Sequence, residues 1–150
     1  MSDRVTLIIP SVASRASYFR RVLIHLAQQG FAGPVIVSDH SAGDRAAVLP
    51  AIMAEFPQLD LSLRRHAPEL AFLLRLADCA EAAATPYVVL HADDDFMRFA
   101  VLDLCTEHLD ANGDTVMAKG RIAFFSCTDD TLGIFGQPGR LGEGAEAPEL

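Results

Sequence analysis

The segment from Thr85 to Phe96 (Thr-Pro-Tyr-Val-Val-Leu-His-Ala-Asp-Asp-Asp-Phe) runs an apolar, β-branched stretch straight into three consecutive carboxylates. A short run of this kind predicts a strand covered on both faces, as in a parallel sheet. Ligands of open α/β sheets sit beyond the carboxyl ends of the strands. Three acids placed there repel one another unless a cation joins them. Mg²⁺ or Mn²⁺ is the usual one, and it often brings substrate phosphates with it. The alternative is that Asp93, Asp94 and Asp95 only charge the first turn of the next helix, where acids are favoured.

The rest of the chain alternates strand and helix signals. Val5 to Ile9 predicts a strand that Pro10 stops, followed by a polar loop from Ser11 to Ser17. Tyr18, Phe19, Val22, Leu23 and Leu26 recur at helical spacing up to Gly30, a C-terminal stop. Pro34 to Ser38 predicts the second strand, ending at Asp39-His40-Ser41. A weaker helix spans about 44–56, and Pro50 inside it implies a kink or a late start. Leu59, Leu61 and Leu63 alternate with polar residues, which predicts a strand with one wet face near the sheet edge.

Pro68-Glu69 opens a helix expected to reach Ala84, with Leu70, Leu73, Leu74, Ala77 and Ala80 on its apolar face. After the acids, a helix over 98–111 ends at the turn signal Asn112-Gly113. One or two further strands are expected in Val116 to Ala118 and 121–126, and a Gly-, Pro- and Glu-rich tail or linker from Asp129. The pattern predicts a Rossmann-like, doubly wound α/β fold: a mostly parallel sheet with helices on both faces. At 150 residues it makes one domain over 1–128, and the remaining 129–150 read as a tail or a cut linker.

A hydrophobic content of 51% predicts a folded core rather than disorder. The net charge of −8 argues against a nucleic-acid surface, which needs a basic patch. It leaves room for a phosphorylated ligand, since a bound metal reverses the local sign. Cys79, Cys105 and Cys127 fit no zinc spacing and read as reduced, mostly buried thiols. No apolar stretch approaches a membrane span and the N-terminus carries no signal-like run, so a cytoplasmic protein is expected, free or peripheral at the inner membrane face.

Three strand ends carry polar groups: Pro10-Ser11, Asp39 and the acid trio. In a parallel sheet these ends share one edge and converge on one ligand. Asp39 is suited to accept hydrogen bonds from a base or a ribose, or to close its strand with an Asx-turn. Arg15 is suited to a phosphate, or is an ordinary solvated arginine. His91 reads as hydrogen-bonded core. His25, His40, His66 and His108 show no metal-ligand spacing, and Arg64-Arg65-His66 forms a short basic cluster at a strand end. No Gly-rich phosphate loop follows the first strand, which argues against a dinucleotide site of the usual kind or a P-loop. No nucleophile elbow is present either.

At Ile8-Ile9-Pro10-Ser11 with Arg15, Tyr18 and Arg20-Arg21, at Val35 to Ser41, and at Thr85 to Phe96, the chain resembles the N-terminal, nucleotide-binding half of GT-A-type, family 2-like glycosyltransferases. The resemblance covers about residues 5 to 100. Ser14 stands where the family often has asparagine, Ser38 replaces the first acid of its second motif, and His40 replaces a glycine. The usual first aspartate of the third motif falls on Ala92, so the D-x-D pattern rests on Asp93 to Asp95.

The resemblance implies a nucleotide-diphosphate sugar donor, a glycan or other hydroxyl acceptor, and a Mn²⁺ or Mg²⁺ cofactor. It places Pro10, Ser11 and Asp39 around the base and ribose. Asp93, Asp94 and Asp95 hold the diphosphate through the metal, with Asp94 and Asp95 as metal ligands and Asp95 the foremost. Arg75 corresponds to a nucleotide-side arginine. The acceptor half of such enzymes follows the D-x-D, and only 55 residues follow Asp95 here, so a truncated or minimal form is expected. The rival reading is a non-catalytic nucleotide- and metal-binding domain. A phospho-receiver ranks lower, because its acid pair should follow the first strand. A nucleotidyltransferase ranks lower because its Gly-rich, basic opening loop is missing.

Overall fold

The computed structural model describes residues 3–120, 122–128 and 131–139. They fall into two compact units, 1–107 and 108–150. In the first, strands β1 (Val5–Ser11), β2 (Val35–Asp39), β3 (Leu61–Arg65) and β4 (Tyr87–Leu90) form a four-stranded, all-parallel sheet of order β3-β2-β1-β4. Helices α1 (Ala16–Gln28), α2 (Val48–Met53), α3 (Phe72–Glu81) and α4 (Ala100–Ala111) alternate with the strands. This is a Rossmann-like α/β arrangement with helices on both faces.

Alternation along β1 and β2 sorts the two faces. Leu7, Ile9, Val35 and Val37 join Phe19, Val22, Leu23 and Leu26 of α1, Leu49 of α2, and Phe99 and Leu102 at α4 in one core. Each fully buried side chain of this kind contributes roughly 1.5–3 kcal/mol. On the other face Ile8 and Ile36 meet Cys79, with Leu76, Ala80 and Ala83 of the α3 region around them.

The helix boundaries follow backbone chemistry. Gly30 adopts φ 62°, and the Phe31 and Gly30 N–H groups donate to the Leu26 and Ala27 carbonyls at 3.0 and 3.1 Å. This Schellman closure needs a left-handed residue, which only glycine supplies without strain. Pro50 lies at the third position of α2, preceded by a 3-10 turn over Gly43–Ala47, so the helix starts late, as Pro50 implies.

Several expectations change. Pro10 does not stop β1, which continues to Ser11. Its last partner on the β4 side is Ile8, opposite Leu90, so the missing N–H of Pro10 points where no ladder bond is left to lose. β4 is not covered on both faces: it lies at the end of this sheet, and Val88 and Leu90 are exposed. α3 begins at Phe72 rather than Pro68, and its packed face is turned from the expected one. Leu73 and Leu74 are exposed, while Arg75 and Cys79 are buried. Tyr18 also lies outside the buried stripe of α1. No strand forms at Val116 to Ala118.

In the second unit, β5 (Ile122–Thr128) pairs antiparallel with β6 (Thr131–Gly139). β6 takes up part of the stretch expected to be a tail, and residues 129, 130 and 140–150 lie outside the described residues. Among the described residues no helix is long and apolar enough to cross a membrane.

Candidate functional site

The carboxyl ends of β1, β2 and β4 lie together because the strands run parallel and in register, with Ser11 opposite Asp39. Ser11 closes β1, and its hydroxyl donates to Asp93 Oδ2 at 2.6 Å. Arg15 comes from the 3-10 turn Ala13–Arg15 just after the strand. Its Nε donates to Asp93 Oδ1 at 2.7 Å and its Nη2 reaches Asp94 Oδ2 at 2.6 Å. Arg15 therefore bridges the first two acids of the trio. Those hydrogen bonds, chiefly to Asp93, push its pKa up from the ordinary arginine value. One positive charge facing these two acids is therefore supplied from within the chain.

Asp39 is 1% exposed, and its Oδ1 accepts the Ser41 N–H at 2.7 Å. This is the Asx-turn alternative read from the sequence. Its Oδ2 is buried with no protein partner. Ser41 Oγ in turn accepts the Ala13 N–H at 2.8 Å, tying the loop after β2 to the loop after β1. Arg75 of α3 is buried, contacts His40 Nδ1, and has no partner for Nε. Burial, and then the neighbouring Arg75 charge, lower the His40 pKa, so its ring is neutral at pH 7 and accepts from the guanidinium. Unsatisfied buried polar atoms are rare in folded proteins, and a bound ligand is one way they become paired.

Several of these residues border one cavity of about 310 Å³. Its wall holds Pro10, Ser11, Arg15, Arg75, Asp93 and Asp94, together with Val12, His40, Phe72 and Ala92. Asp39, opposite Ser11 at the end of β2, and Asp95 are both absent from the wall. Asp93 and Asp94, rather than Asp95, are the trio members at the cavity. The trio does not act as one cluster: Asp93 is buried on Ser11 and Arg15, whereas Asp94 and Asp95 are exposed. The exposed pair offers only hard oxygen donors, a set suited to Mg²⁺ or Mn²⁺.

His91 is buried, as expected, with Nδ1 at 2.8 Å from the Ala92 carbonyl, though Nε2 has no partner. Burial lowers its pKa. His40 and Phe72 were not expected at the site. His40 follows Asp39 at a strand end, and that position was the available signal. Phe72 lacked one, because the start of α3 was misplaced.

The sheet order, the helices on both faces and a cavity beyond the strand ends define a doubly wound α/β domain. Solved structures that share this fold include two of one protein. Staphylococcus aureus TarS, residues 1–349, matches with TM-score 0.59 and 18% identity over 73% of this chain and 33% of that one. The same protein in complex with UDP-GlcNAc matches with TM-score 0.58 and 19% identity over 73% of this chain and 32% of that one. At such identities the likeness is one of fold, and the chain spans about a third of the TarS chain it matches. No protein-family model and no curated protein matches the chain.

Proposed function

We propose that the cavity at the strand ends binds a nucleotide-diphosphate sugar, and that the chain is the donor-binding part of a glycosyltransferase. The observation that carries this reading is the convergence of Pro10, Ser11, Arg15, Arg75, Asp93 and Asp94 on one cavity, with Ser11 opposite Asp39. The fold shared with a protein solved with UDP-GlcNAc supports the same ligand class.

In this reading Asp39 Oδ2 accepts a hydrogen bond from the base or the ribose. Arg75, held by His40, lies on the nucleotide side and offers donors in a fixed plane. Arg15 carries positive charge at the phosphate end, and Ser11 fixes Asp93 so that Arg15 stays aimed across the opening. Asp94 and Asp95 would hold Mg²⁺ or Mn²⁺, whose Lewis acidity offsets charge on the departing diphosphate. The acceptor is a hydroxyl of a glycan or similar molecule.

A second reading, a nucleotide-binding domain without transfer activity, is favoured by one contact. Arg15 already pairs with both Asp93 and Asp94, so two of the three acids have a partner without a metal.

Thermal unfolding with UDP, GDP, ADP and the corresponding nucleosides, each with Mn²⁺, tests the proposal. A rise in Tm with at least one diphosphate and none with its nucleoside, absent in Arg75→Ala, is expected. No rise with any diphosphate contradicts it. Binding without release of nucleotide from a panel of nucleotide sugars and acceptors favours the second reading.

A further inference from the structure

Outside the wall of that cavity, His66, Asp78 and Cys79 each offer one ligand atom, and these atoms lie within 4.8 Å of one another. His66 directly follows β3, and its backbone N–H donates to the Asp39 carbonyl at 2.8 Å. Asp78 and Cys79 are adjacent on α3. Cys79 is fully buried, the His66 side chain nearly so, and Asp78 opens onto a cavity of about 330 Å³ that His66 also lines.

Hydrogen bonds join the three side chains into one network. Ser38 bonds the Cys79 sulfur, and its Oγ lies 3.2 Å from His66 Nδ1. His66 Nε2 lies 3.0 Å from Asp78 Oδ2 and donates to it. One ring nitrogen thus faces the carboxylate and the other the Ser38 hydroxyl, with the Cys79 sulfur beside them. A metal ion at Nε2 takes the place of that proton, and the ring then carries its proton on Nδ1 and donates to Ser38 Oγ. Asp78 is oriented from outside by Arg64, whose Nη2 holds Oδ1 at 2.8 Å and whose Nε holds Oδ2 at 2.6 Å.

We propose that His66, Asp78 and Cys79 form a zinc site, with His66 Nε2, Asp78 Oδ2 and Cys79 Sγ as ligands and a water from the adjoining cavity in the fourth position. Nitrogen, oxygen and sulfur donors with one open position suit tetrahedral Zn²⁺, whereas thiolate disfavours Mg²⁺. Side-chain shifts of roughly 1 Å bring the donors to zinc distances. Ser38 fixes the His66 tautomer and Arg64 keeps Asp78 Oδ1, the outer contacts that metal-bound ligands commonly have. Burial pushes the Cys79 thiol up from its ordinary value, so the thiol holds its proton until the metal takes its place. Binding forms the Zn–S bond and passes that proton to solvent.

The site was not legible from spacing, because its ligands come from a strand end and a helix 12 residues further on. Its ligands are distinct from those of the proposed donor site, so the two readings fail separately.

The test is titration of the purified, reduced full chain with Zn²⁺ against a chromogenic chelator, and with Co²⁺ by absorption spectroscopy. One equivalent of Zn²⁺ bound with proton release, and a thiolate-to-cobalt charge-transfer band with tetrahedral d–d bands, are expected. Cys79→Ser should abolish the band, and Cys79→Ser and His66→Ala should each weaken Zn²⁺ binding at least tenfold. The wild-type cobalt spectrum needs no variant, so a misfolded substitution does not decide the matter. No binding, octahedral cobalt without a thiolate band, or unchanged affinity in both folded variants would overturn the proposal.

Discussion

Arg15 Nε lies 2.7 Å from Asp93 Oδ1 while its Nη2 lies 2.6 Å from Asp94 Oδ2, so one arginine after β1 spans two acids after β4. This pair of contacts links two elements that are far apart in sequence and adjacent in the sheet. It defines one side of the cavity and sets the charge that an incoming phosphate meets.

The buried end of this link is Asp93, and Ser11 donates to it. Removing that donor leaves a buried carboxylate short of one hydrogen bond. Ser11→Ala should cost about 1–3 kcal/mol, the usual penalty for such a loss. Urea unfolding measures it, and a change in the midpoint at constant slope is the expected form.

Gly30 holds φ 62° at the close of α1. An alanine there must adopt the left-handed region, at roughly 1–2 kcal/mol. Gly30→Ala should lower Tm by several degrees, whereas Gly113→Ala, where nothing lies within 4 Å and φ is ordinary, should change it little.

Asp78 shows the pH dependence expected of a paired carboxylate. The hydrogen bond from Arg64, and then the one from His66, lower its pKa from 3.8 to about 2. A folded-state pKa below the unfolded one adds stability above the unfolded value. That stability is lost as pH falls from about 4 to about 2. The pair is solvent-exposed, so the effect is modest and salt-sensitive. Unfolding free energy measured across this window should fall more steeply in the wild type than in Asp78→Asn.

His40 bonds Arg75 in its neutral form. Its lowered pKa means that acid must first overcome burial and the Arg75 charge before the ring protonates. Protonation then turns the acceptor into a second cation facing Arg75. Asp39, whose charge favours the protonated ring, and His66, whose charge opposes it, also act on this ring. Nucleotide affinity should hold from pH 8 to 6.5 and fall below that. His40→Ala should weaken binding several-fold and flatten the profile.

The sheet and its helices were largely legible because period and punctuation agree there. Pro50, Gly30 and the alternation from Leu59 to Leu63 each marked a boundary or an edge that the structure shows. The face of α3 was misread in part, because Leu73 and Leu74 fit a helical stripe but packing selected Leu76 and Cys79, with Ala80 common to both faces. Local spacing carries no information on which stripe meets the sheet. The convergence of Ser11, Asp39 and Asp93 follows from parallel topology and was readable in outline. Arg15 as the bridge between Asp93 and Asp94, and Arg75 against His40, depend on side-chain geometry, which residue types alone do not fix.

Isothermal titration of the chain with UDP, once with Mn²⁺ and once with chelator, tests the central claim most directly. The account predicts saturable binding that weakens at least tenfold with chelator, in Asp94→Ala/Asp95→Ala and in Arg75→Ala. Binding unaffected by these substitutions, or no binding of UDP or GDP to the folded chain, would contradict a donor site at the strand ends.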